Sequence, residues 1–241
     1  MVSMTALHSL TAELHAGFLT LAFVCIMLVA GSQVIVHLRN RKWMPRKLVD
    51  LAIRTRGYLE AAGYVGAALG LIGILLSAYT GMYAWPQDVL LDSVVVQNKI
   101  MFTTFSGVLW GGVLFIRARF GRGLWTCPMM AAFYTGLAFV AYGILGMTGS
   151  LGAHLTVGES ILDPLWDWIG MRVDTPIALD AEVAAGIAIV CGMIFVLSLA
   201  IARKYDLFSV RLEAETCQKL FRWDEPRILE SSPPQERSEG K

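Results

Sequence analysis

Four histidines, His8, His15, His37 and His154, are the side chains of this 241-residue chain best suited to hold a metal, because a neutral imidazole is a strong ligand for iron and copper. His8 and His15 are seven positions apart, two turns on one helical face. His154 stands in "MTGSLGAHLTVGESILDPLW", where an apolar run gives way to Glu159, Asp163 and Asp167. Two imidazoles at one depth on different helices can hold a haem b iron from both sides, filling both axial positions so that the iron exchanges electrons instead of binding oxygen. His15 and His154 are the pair expected to do this. His8 reads as a surface residue or as a ligand to a second metal or haem. A copper or non-haem iron site built from His8, His15, His154 and an acid is the alternative, although no HxH, ExxH or DxxxH spacing supports it. His37, beside Arg39, reads as a polar anchor.

The elements that must position these residues are membrane helices. The hydrophobic set makes up 56% of the chain and charged residues only 16%, and the mean hydropathy is +0.58. That is far from the surface chemistry of a soluble domain. Five segments carry no Asp, Glu, Lys or Arg over the length a helix needs to cross a bilayer: 16–36, 61–84, 100–116, 129–149 and 183–202. The fold class expected is therefore an all-α polytopic membrane protein with five transmembrane helices. Helices are required because hydrocarbon offers no partner to a free backbone N–H or C=O. Residues 203–230 mix apolar and charged side chains and suit an amphipathic tail at the membrane surface. Residues 231–241 lack the apolar side chains that drive ordering, and are expected to be disordered.

Lys and Arg set the orientation. The loop after the first span holds Arg39, Arg41, Lys42, Arg46, Lys47, Arg54 and Arg56, and that after the third holds Arg117, Arg119 and Arg122. Both loops are expected in the cytoplasm, with the N-terminus outside and the C-terminus cytoplasmic. The first span then starts at His15 and the fourth ends at His154, both near the outer face. A cleavable signal peptide is not expected, since nothing basic precedes the first span. Long helices exclude an outer-membrane barrel, and the expected location is a prokaryotic cytoplasmic membrane.

A porphyrin needs flat space between helices, which glycine supplies. The second span places Gly63, Gly66, Gly70, Gly73, Ser77 and Gly81 on one face, and the fourth contributes Gly136, Gly143, Gly146, Gly149 and Gly152. Such stripes also serve plain helix packing. Lys99 and Arg172, the external cations close to the spans, are the natural partners of haem propionates. With a histidine opening the first helix, a glycine-rich second helix and "GxxGxHL" closing the fourth, residues 15–155 resemble the small multi-helix b-type cytochrome membrane subunits. The resemblance implies one haem near the outer face. It departs from larger respiratory cytochromes in having no histidine at the middle of a span.

The remaining polar features carry less chemistry. Cys25, Cys127, Cys191 and Cys217 show no CxxC or CxxCH, and the cytoplasmic placement of Cys127 and Cys217 argues against disulfides, iron–sulfur clusters and covalent haem. The loop from Val157 suits a short interfacial helix that caps a haem or quinol pocket. Glu60, a turn after Arg54 and Arg56, is expected to be ion-paired.

The function expected is electron transfer within a larger respiratory or oxidoreductase complex, between an external donor or acceptor and a membrane quinone, with catalysis left to partner subunits. Nothing points to nucleic acid as a partner. The alternatives are a cofactor-free structural accessory subunit and a metalloenzyme subunit with the external copper or iron site.

Overall fold

A computed structural model describes residues 3–39, 45–86, 92–170, 172 and 175. These form α1 (Met4–Arg39), α2 (Arg46–Ala84), α3 (Val94–Phe120), a 3-10 turn (Gly121–Thr126), α4 (Pro128–Val157) and a short α5 (Asp163–Trp168). Four of the helices are long and apolar enough to cross a membrane. The expected fifth span, 183–202, and both tail segments lie outside the described residues.

Each long helix continues past the charge-free run that predicted it. A charged residue ends a stretch able to lie in hydrocarbon, but it does not end a helix. The largest difference is at the first basic loop, of which Arg46, Lys47, Arg54 and Arg56 are already part of α2. Pro45 sits just ahead of α2 and Pro128 opens α4, where a missing N–H costs nothing.

The chain makes two antiparallel hairpins that join through α1 with α4 and α2 with α3. In the first, Gly63, Gly66, Gly70 and Gly73 of α2 meet Cys25, Ala22, Leu19 and His15 of α1 in reverse order. Close approach of two membrane helices depends on small residues, because lipid gives apolar side chains little reason to leave it. In the second hairpin, Lys99 of α3 lies at Gly152 of α4, and Gly112 lies at Leu137. Phe23 stacks on Tyr142, 4.1 Å between centroids, to hold α1 against α4.

The core runs along this junction. Leu19, Ala22, Val29, Trp110, Val113, Ala138 and Ala141 are buried in it. A smaller cluster, Phe102, Leu151 and Trp166, holds α5 against α3 and α4. The outward faces carry Leu75, Val108, Phe115 and Phe139 exposed, a surface suited to lipid.

The bundle thus has two distinct ends. One gathers His8, His15, Gly73, Lys99 and Gly152. The other gathers Glu60, Arg117, Trp125 and Tyr134.

Candidate functional site

At the first end, α1 presents two imidazoles held alike. His15 is buried, and its Nδ1–H donates to the Thr11 carbonyl at 3.0 Å. His8 donates from Nδ1 to the Ser77 carbonyl of α2 at 3.0 Å, with Thr80 Oγ1 at 3.3 Å. A carbonyl can only accept, so Nδ1 carries the proton in both rings and Nε2 keeps its lone pair. Metal-bound histidines are commonly oriented by this type of bond. The Thr11 hydroxyl donates to the His8 carbonyl at 2.9 Å and lies 3.1 Å from Thr80 Oγ1. Thr80 in turn donates to the Leu76 carbonyl at 2.9 Å, fixing the network to both helices.

Gly73 and Gly81 make this possible by having no side chain. A methyl group on Gly73 would stand 2.6 Å from His15 Cβ, and one on Gly81 would stand 3.0 Å from His8 Cε1.

Lys99 of α3 completes the cluster. Its Nζ would be 3.3 Å from a methyl group on Gly152, and its charge acts on both His8 and His15. Its side chain is half-buried, and it forms no ion pair with the described residues. An ammonium withdrawn from water without a carboxylate is costly, so this end favours an anionic group.

His154, two positions beyond Gly152, is engaged elsewhere. Its Nε2 lies 2.7 Å from Asp163 Oδ1. Asp163 Oδ2 accepts from the Ser160 backbone N–H at 3.0 Å. The Ser160 bond, assisted by His154, holds the Asp163 carboxyl below its ordinary range. Trp166 of α5 donates from Nε1 to Ser150 Oγ at 2.7 Å and meets Phe102 edge-on. Between α4 and this loop is an open cavity of about 700 Å3, lined by Gly146, Gly149, Ser150, Ala153, Ser160 and Leu162 among others.

The structure therefore brings His8, His15 and Lys99 together, and pairs His154 with Asp163. Gly66, Gly70 and Gly73 face α1, and the space beside them is filled by its backbone and by Ala22, Leu19 and His15 respectively. Gly149 faces open space. The Arg172 carbonyl accepts from Thr175. Among the described residues no group of three or more His, Cys, Asp or Glu side chains is placed to hold a metal ion.

Three features escaped the sequence reading. Asn98 is fully buried and donates to the Thr175 carbonyl at 2.9 Å. Glu60 is ion-paired as expected, but its partner at 2.7 Å is Arg117 of α3, which is distant in sequence and was not foreseen. Cys25 is a free buried thiol, but Cys127 is disulfide-bonded. This departs from the expectation of no disulfides: pairing depends on which thiols the fold brings within reach, and the lack of a CxxC spacing does not exclude it.

No family model, curated protein or solved structure matches this chain.

Proposed function

We propose that the protein is a membrane electron-transfer subunit carrying one haem b at the His15 end, within a larger respiratory or oxidoreductase complex. The observation that carries this reading is the Nε2 of His15, which has no partner among the described residues, beside the half-buried Lys99, which has no acid partner among them. His15 would be one of the residues holding the iron and Lys99 the partner of a propionate, with Arg172 a second cation for the same role. His154, whose Nε2 is paired with Asp163, would be the second iron ligand in place of that contact. Gly149, beside the open cavity, offers flat surface for a ring, whereas Gly66, Gly70 and Gly73 support the site by seating α1. When bound, haem supplies a reversible one-electron couple; the chain orients the ligand imidazole through Thr11 and balances negative charge with Lys99.

In this reading the N-terminus is outside, the C-terminus and its tail are cytoplasmic, and residues 183–202 form a fifth span in a prokaryotic cytoplasmic membrane. Lipid, neighbouring subunits and a quinone are the partners. A dithionite-reduced minus oxidised spectrum of the purified protein tests it, together with His15→Ala and His154→Ala. A sharp b-type α-band present in the native chain and lost in both variants supports the reading. A flat spectrum from folded native protein overturns it.

A second reading, a cofactor-free accessory subunit, draws on the glycine stripe of α2, which is consumed in seating α1. The copper or non-haem iron alternative, using His8, His15 and His154, is separated from both by metal analysis showing metal without porphyrin.

A further inference from the structure

The opposite end of the bundle contains a second polar centre, independent of the haem reading. Arg117 of α3 and Glu60 of α2 form an ion pair at 2.7 Å, with side-chain exposures of 16% and 6%. The Arg117 guanidinium also lies 5.8 Å from the centre of the Tyr64 ring. Trp125, on the 3-10 turn, meets Tyr134 of α4 edge-on at 5.5 Å, and its carbonyl accepts from Gln33 Nε2 of α1 at 3.2 Å. Every helix of the two hairpins therefore contributes to the centre.

These residues enclose a cavity of about 10 Å3, walled by Glu60, Arg117, Trp125 and Tyr134 and closed by Cys25 and Gly63 among others. Two of its wall residues have buried N–H donors without a hydrogen-bond partner among the described residues, Arg117 Nε and Trp125 Nε1. Leaving a buried donor unsatisfied costs roughly 1–3 kcal/mol. Purely apolar cavities stay dry, but a polar one is hydrated when it has room for a water and two to four partners.

We infer that this cavity binds a single water molecule, which accepts from Arg117 Nε–H and Trp125 Nε1–H and donates to the Glu60 carboxylate. A water oxygen has two lone pairs for the two donors. A carboxylate has about four acceptor positions, so Glu60 can serve Arg117 and the water together. The cavity is too small for a second water or an organic ligand. The ion pair is thus a hydrated crosslink among the four long helices, and the water belongs to the folded structure.

Trp110 provides an internal control. Its Nε1 is likewise buried and without a partner among the described residues, yet it is packed in the apolar core and does not line the cavity. The test is water-to-indole magnetisation transfer in the NMR spectrum of the full chain in detergent micelles, with the two indole resonances assigned by Trp125→Phe and Trp110→Phe. The expected result is a direct water contact at the Trp125 N–H and none at Trp110. A Trp125 signal without water contact, or equal contact at both indoles, overturns the proposal. High-resolution density for the native protein decides the same point without substitution: a peak within hydrogen-bond distance of both nitrogens supports the water, and an empty cavity refutes it.

Discussion

Gly73 of α2 lies directly against His15 of α1, with the space for a side chain already taken by the histidine's own Cβ and Cα. A methyl group there would stand 2.6 Å and 3.1 Å from those atoms, too close for ordinary contact. The helices must part at the level of the candidate ligand. Gly73→Ala is therefore expected to cost about 1–3 kcal/mol as overpacking and to lower the thermal midpoint of the protein in micelles. Gly149→Ala meets nothing within 4 Å and should melt like the native chain or slightly higher. Equal melting of the two variants would remove the steric argument.

Asp163 gives the protein an acid-sensitive contact. Its carboxyl is held below the ordinary value of 3.8 by Ser160 and His154. A depressed carboxyl contributes stability above its unfolded value, and that contribution disappears as pH falls through the lower folded value. The stability that the Asp163 carboxylate contributes relative to Asp163→Asn should thus be fully present near pH 5 and shrink below pH 3.8. Thermal melts across that range check it. A difference growing toward acid would contradict the assignment.

Lys99 should affect binding and stability in opposite directions. Lys99→Met removes a half-buried charge that has no acid partner among the described residues, so the cofactor-free protein should melt higher. The same change removes the proposed propionate partner, and haem recovered per protein should fall. Loss of both stability and haem would instead identify Lys99 as a packing residue.

Glu60 and Arg117 should behave as a coupled pair. Breaking a buried ion pair on one side leaves a charge uncompensated, at a cost of about 3–5 kcal/mol. Glu60→Gln and Arg117→Met are each expected to destabilise by that order, and the double variant by less than their sum. Chemical denaturation of the four proteins in a double-mutant cycle measures the coupling; simple additivity would show that the contact carries no energy.

Much of the architecture was legible because membrane helices announce themselves as charge-free runs, and Lys99 could be singled out as a rare cation near a span. Helix ends were less legible. Arg46 to Arg56 satisfy backbone hydrogen bonding within α2 while their charges lie beyond the apolar stretch, so charge alone placed the boundary too far along the chain. The glycines of α2 were visible as a stripe, but spacing does not say whether α1 or a ring fills it. Pairings across the bundle, such as Glu60 with Arg117 and His154 with Asp163, depend on which helices become neighbours, and that is decided by packing.

The uninterrupted course of α2 has a mechanical meaning. At 1.5 Å per residue, its 39 residues make a rod about 58 Å long, against a hydrocarbon layer of about 30 Å. Roughly half of the rod must stand outside the layer, and the basic turns at Arg46, Lys47, Arg54 and Arg56 are rigidly continuous with the turns that face His8 and His15. A tilt of about 10° would carry one tip about 10 Å relative to the other. A load applied to those basic turns is therefore felt as leverage at the histidines, without any loop in between to absorb it.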